Sequence, residues 1–181
     1  VDRKIGHNAA IPLWLRPAVG GVFIGLVGLV APAALGSGYG IVETALVGNP
    51  TILLLLGLAL AKGVATAFTA GSGAAAGLFA PSLVIGGALG GAVGLATDAL
   101  VPDLGVHQAA FVVVGMAGFF AAVANAPLST VIMVAEIVGS YRLLVPALWV
   151  CTIAWLLTRT RHIYHEQATS RLDAPAQLAD M

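Results

Sequence analysis

The residues with the clearest chemical potential are Ala70-Gly71-Ser72-Gly73-Ala74-Ala75-Ala76-Gly77-Leu78-Phe79-Ala80-Pro81, a glycine-rich loop between two apolar runs. Glycine permits backbone turns that other residues resist. A helix is expected to begin near Pro81, because a proline in the first helical turn lacks only an N–H that has no partner there. The remaining first-turn N–H groups then face the loop, with the positive end of the helix dipole beside them. That arrangement suits an anion. Each N–H is a partial charge that attracts an anion without gripping it as a fixed lysine would, and passage through a pore needs release as well as entry. The plain alternative is a glycine hinge whose amides are satisfied by water.

The elements that must position this loop are apolar. The chain of 181 residues is 59% apolar and 9% charged, against roughly 25% charged in soluble domains. Charges gather at Val1 to Arg16, at Asp98 to Asp103 and from Arg142 onward. A bilayer imposes that distribution, because an ionised group in hydrocarbon costs several kcal/mol. Apolar runs lie near Ala18 to Leu35, Thr51 to Ala70, Pro81 to Leu100, Gln108 to Val123, Pro127 to Val138 and Leu143 to Leu157. The fifth, at about 12 residues, reaches only about 18 Å, too short for a hydrocarbon core of about 30 Å. A short apolar helix that starts at a proline suits a broken-helix transporter, or else a buried core helix.

Gly86, Gly90 and Gly94 have the spacing that lets helices approach closely in a membrane, and packing is their expected role. Gly36-Ser37-Gly38-Tyr39-Gly40 and Gly48-Asn49-Pro50 read as loops or re-entrant turns. Lys62 lies inside an apolar run and is expected to snorkel to an interface. Arg3, Lys4 and Arg16 before the first span balance Arg159, Arg161 and Arg171 after the last, so charge does not orient the chain. Cys151 reads as a small buried hydrophobe.

Several segments together resemble the CLC chloride channels and transporters. Gly71-Ser72-Gly73 and then Gly77-Leu78-Phe79-Ala80-Pro81 match the family's G-x-F-x-P element. Val114-Gly115-Met116-Ala117-Gly118, Ala126-Pro127-Leu128-Ser129-Thr130 and Val134-Ala135-Glu136-Ile137-Val138 follow in the family's order, and Tyr141 to Pro146 continues the match. One departure is Ala76, where the family often has a second glycine.

The resemblance implies an all-α integral membrane protein, half of an inverted-repeat transporter with broken, tilted and re-entrant helices. It divides the chain into a polar loop (1–16), transmembrane helices of the second repeat (17–158) and a C-terminal segment leading to the cytoplasm (159–181). It further implies that the amides of Leu78 and Phe79 bind the central anion, that Gly73, Gly77, Ala80 and Pro81 support the motif, and that Tyr164 supplies a hydroxyl. Chloride, or a similar small anion, is then the bound cargo, with no other cofactor. A multi-pass protein of the cell membrane, embedded in lipid and paired as a homodimer, is expected. The first half of the same protein, which would carry the gating glutamate and the G-S-G-x-P serine motif, is expected to precede this chain, and a further domain could follow it. Glu136 is not in the gate's setting and is expected to be a structural hydrogen-bonding residue.

Other classes fit less well. The basic residues form no cluster with interleaved aromatics, which argues against nucleic acid. An intramembrane serine protease would need a base near Ser72, yet His107, His162 and His165 lie outside the central apolar spans. No two of His, Cys, Asp and Glu share a span at metal-ligand spacing. A cation-coupled transporter of another family would need carboxylates facing its pathway, and only Glu136 is placed to serve. A purely structural membrane module would leave the ordered motifs unexplained.

Overall fold

A computed structural model of the chain describes residues 15–72, 77–105 and 107–158. Among them are seven α-helices and no strand, so the all-α class holds. They are α1 (Arg16–Val30), α2 (Tyr39–Val47), α3 (Ile52–Gly71), α4 (Phe79–Leu100), α5 (Gln108–Ala124), α6 (Pro127–Val138) and α7 (Leu144–Thr158). Single 3₁₀ turns follow α1 at Pro32–Ala34 and α4 at Pro102–Leu104.

Local chemistry explains most boundaries. The first apolar run was expected to continue to Leu35, but α1 stops at Val30. Pro32 disfavours the helical region for the residue before it, and Ala31 sits at φ −135°, ψ 75°. Thr51 caps α3 by accepting a hydrogen bond from the Leu54 N–H at 3.3 Å. Pro127 opens α6, and Gly139 at φ 66° closes it. There the Gly139 and Ser140 amides return to the carbonyls of Glu136 and Ala135, the double bond of a Schellman cap. The nine-residue α2 had not been anticipated from the sequence, where Gly38 to Gly40 read as loop.

The assembly is built around α4 and α5, which make the most extensive helix pair, with α3 against α4 and α7 against α5. Close approach is possible because the facing residues are glycines. A β-carbon on Gly86 would lie 2.5 Å from the Gly115 carbonyl oxygen, and one on Gly115 would lie 2.7 Å from the Gly90 Cα. The expected packing role of Gly86, Gly90 and Gly94 therefore holds, with Gly94 set against the Phe111 side chain. Leu55, Leu83, Val84, Val112, Val134 and Cys151 are fully buried between these helices.

Many large apolar side chains lie on the outer surface. Leu29 and Leu53 are each 82% exposed, and Leu60, Val145, Trp149 and Leu157 are also exposed. Contiguous exposed apolar surface of this kind marks contact with lipid or with other protein. Among the described residues, α3 and α4 are long and apolar enough to cross a membrane. At 1.5 Å per residue they extend about 30 and 33 Å, which matches the hydrocarbon core. The other helices are shorter.

Candidate anion site

Helix α4 begins at Phe79, two residues before Pro81, with Leu78 as its N-cap at φ −86°, ψ −10°. Pro81 is thus the third helical residue and still lies in the first turn, where its missing N–H removes no helix hydrogen bond. The Leu78 carbonyl is occupied twice, by the Ser82 N–H at 3.2 Å and the Ser82 hydroxyl at 2.6 Å. The amides of Leu78, Phe79 and Ala80 find no acceptor among the described residues. Three N–H donors without an acceptor among the described residues therefore lie at the positive end of a 22-residue helix.

Packing holds this helix start in place. The Phe79 ring meets Phe120 of α5 edge to face, with centroids 5.1 Å apart and planes at 88°. Leu83 and Val84, one turn further on, are fully buried. The phenylalanine side chain is directed to the protein, so its contribution at the helix start is the backbone N–H.

Gly77 and Pro81 also line a cavity of about 160 Å³ shared with α3 and with the turn after α1. Thr66, Thr69 and Lys62 are its polar side chains among the described residues, and Lys62 is 3% exposed. Its ammonium donates to the carbonyls of Ala34 at 3.0 Å and Gly36 at 2.6 Å. The expectation that Lys62 snorkels to an interface is therefore corrected. The chain between α1 and α2 folds back across the middle of α3 and brings two carbonyl acceptors to the ammonium, so it has no need to reach water. Gly36 at φ 62° and Gly38 at φ 78° make that fold-back possible. Sequence reasoning missed that this residue lies beside Gly77 and Pro81, although its signal was present, a single cation within a long apolar run.

Of the residues expected at the site, Gly77, Leu78, Phe79, Ala80 and Pro81 are brought together at the start of α4. Gly73 and Tyr164 lie outside the described residues. Glu136 is elsewhere, exposed on α6, where its carboxylate accepts a hydrogen bond from the Tyr141 hydroxyl. That agrees with its expected structural role. The hydrogen bond, reinforced by the carboxylate's charge, raises the Tyr141 pKa above its ordinary value. A difference ultraviolet titration of the protein against Tyr141→Phe is expected to place this phenol's ionisation above that of an ordinary tyrosine. Glu136→Gln should bring it back toward the ordinary value; an unchanged titration would mean that the pair does not form in solution.

Hydrolytic chemistry finds little support in the geometry. The Ser72 hydroxyl donates to the Thr69 carbonyl at 2.8 Å, so its proton is directed to its own helix. His107 is exposed at the start of α5. No group of three His, Cys, Asp or Glu side chains among the described residues is placed to hold a metal ion.

Known proteins agree with the motif. The profile of the family described as voltage gated chloride channel matches residues 2–159. The chain is 37% identical over 154 residues to an H(+)/Cl(-) exchange transporter, ClcA, of Cronobacter sakazakii, covering 85% of this chain and 33% of that protein. It is 36% identical over 160 residues to a voltage-gated ClC-type chloride channel, ClcB, of Escherichia coli O81, covering 86% of this chain and 38% of that protein. The chain thus spans about a third of the length of these relatives. A family match across most of the chain, the start of α4 included, places it: the chain belongs to the CLC family of voltage gated chloride channels.

Proposed function

We propose that this chain forms the second half of an inverted-repeat membrane domain that moves chloride, or a similar small anion, across the cell membrane. The observation that carries the reading is the start of α4, where the Leu78, Phe79 and Ala80 amides have no acceptor among the described residues. In this reading the Leu78 and Phe79 amides hold the anion, Gly77 and Pro81 shape the turn, and the Tyr164 hydroxyl completes the coordination. Neutral donors hold an anion lightly enough for it to leave, as conduction requires.

The preceding half of the protein supplies the gate and the rest of the pathway, and the protein works as a homodimer with one pathway per subunit. The outward faces of α6 and α7 suit the dimer contact: Leu128, Ile132, Val145 and Trp149 are exposed and apolar. The lipid bilayer covers the remaining apolar surface. A secondary transporter of another family is the less favoured reading, since the described pathway-side residues offer no carboxylate.

Chloride efflux from liposomes containing the intact protein, with external pH recorded at the same time, tests the proposal. Anion-specific efflux is expected. Stoichiometric proton movement with it assigns exchange, as in the ClcA relative's name, and its absence assigns a channel, as in that of ClcB. Loss of anion specificity would overturn the reading. Tyr164→Phe is expected to weaken chloride binding by roughly tenfold, the effect of one hydrogen bond to a charged group, as read by calorimetry. Pro81→Leu should also weaken it, by reshaping the helix start; unchanged affinity in both variants would remove these residues from the site.

A further inference from the structure

The peptide that joins Leu78 to Phe79 has its two polar ends in unlike surroundings. Its carbonyl accepts two hydrogen bonds, from the Ser82 N–H at 3.2 Å and from the Ser82 hydroxyl at 2.6 Å. Its N–H, on Phe79, bonds to no described acceptor. The first of the two bonds is the ordinary contact between residues four apart that opens a helix. The second is added by the side chain. Because the peptide is planar and trans, its C=O and N–H lie in one rigid plane and point in opposite directions, so whatever holds the oxygen also aims the N–H.

Helical geometry alone sets this plane loosely. Leu78 is the N-cap, with ψ −10°, about 30° from the value of about −42° in a regular helix, and that torsion is the one that turns the plane. The hydroxyl bond therefore fixes an orientation that the helix does not impose. Ser82 is 6% exposed, so water competes little for its hydroxyl, and the neighbouring Leu83 and Val84 are fully buried and anchor the turn from which it reaches back.

Other hydroxyls make the same backward bond without this consequence. Those of Thr66, Thr69, Thr97 and Thr152 bond to carbonyls within helices, where the N–H of the same peptide belongs to the helix's own ladder. Thr44 donates to Gly40, whose peptide carries the Ile41 N–H, and that group donates to the Gly38 carbonyl. Thr130 donates to Ala126 at 2.7 Å, but that peptide ends on Pro127 and has no N–H. At Ser82 the bond falls on a peptide whose N–H has no described partner.

We propose that Ser82 is a positioning residue for the anion, whose hydroxyl fixes the direction of the Phe79 N–H and strengthens it as a donor. A hydrogen bond drawn on the carbonyl polarises the whole amide, and linked hydrogen bonds reinforce one another by about 10–30% per bond. The inference rests on the reading of the α4 start as the anion position and deepens it, by naming the side chain that sets how well one of its donors works. Ser82 acts through the peptide and does not touch the ion. A small gain in one neutral donor adjusts affinity without trapping the ion, as conduction requires.

Ser82→Ala removes the hydroxyl and keeps the backbone bond to Leu78. In the intact protein it is expected to weaken chloride binding by roughly two- to fivefold, read by calorimetry, which is the share of one hydrogen bond to a charged group that such reinforcement supplies. Its melting temperature should not fall, since alanine is the best helix former. Ser82→Thr keeps a hydroxyl and should retain wild-type affinity. The Phe79 amide resonance of the ¹⁵N-labelled protein supplies a reading that packing alone would not move: it is expected to shift on chloride addition in the wild type, and to shift less in the alanine variant. An equal shift and equal affinity in the alanine variant would overturn the role of Ser82 and leave the transport reading standing. A wild-type Phe79 amide that does not respond to chloride would overturn both this role and the assignment of that amide to the anion. An alanine variant that melts early or does not fold, or a threonine variant as weak as alanine, would make Ser82 a packing residue and overturn the proposal.

Discussion

Gly90→Val is expected to cost the protein about 3 kcal/mol or more of stability, the upper end of what overpacking a core produces. The magnitude follows from what the new side chain would meet. A β-carbon at position 90 falls inside van der Waals contact of the Phe111 carbonyl oxygen, and within 3.0 Å of the Phe111 carbonyl carbon and the Gly115 Cα. All three are backbone atoms, so no rotamer change relieves the clash, and α4 must move away from α5. Phe120 on α5 packs against Phe79 at the α4 start. The same displacement is therefore expected to loosen the α4 start, and on the proposed function chloride affinity should fall together with the melting temperature. Gly57→Ala is the control, because nothing lies within 4 Å of a β-carbon there. It should be neutral or stabilising by up to about 1 kcal/mol, from helix propensity alone. Thermal unfolding of the intact protein in detergent checks both; equal melting of the two variants would show that the α4–α5 contact is looser than the glycines imply.

Leu78→Pro is expected to lower chloride affinity by roughly ten- to a hundredfold, the equivalent of losing one hydrogen bond of about 1.5–3 kcal/mol to a charged group. Proline removes the N–H at this position and little else from the backbone. Leu78 sits at φ −86°, near the range that the proline ring imposes, and its N–H bonds to no described acceptor. The helix itself should survive, since proline is tolerated at a helix start. Calorimetric titration of the intact variant with chloride, alongside circular dichroism, reads binding and helix content separately. Retained helix with wild-type affinity would mean that this amide does not touch the anion.

Most helices were legible because their boundaries rest on local chemistry. The runs at Thr51 to Ala70, Gln108 to Val123 and Leu143 to Leu157 became α3, α5 and α7 within a residue at each end, and Pro127 to Val138 became α6 unchanged. Two elements escaped. A search for spans of about 20 apolar residues passes over the nine residues of α2, whose run is broken by the exposed Glu43. Helix α1 lost its last expected turns to Pro32, which a hydropathy reading does not weigh.

By itself the sequence determined the class of the protein and the place where α4 starts. Composition specifies an apolar environment, the glycines mark where helices can touch, and the G-x-F-x-P element marks a helix start with unpaired amides, because each of these depends on residues close together in the chain. Lys62 is the counterexample. Twenty-six and twenty-eight residues separate it from the carbonyls that hold it, and only the fold-back over α3 brings them together. Whether a lysine in an apolar helix turns outward to water or inward to a cavity depends on what the tertiary structure sets beside it. That choice is made by the balance between the cost of burying a charge and the acceptors available to meet it, and the acceptors here belong to another part of the chain.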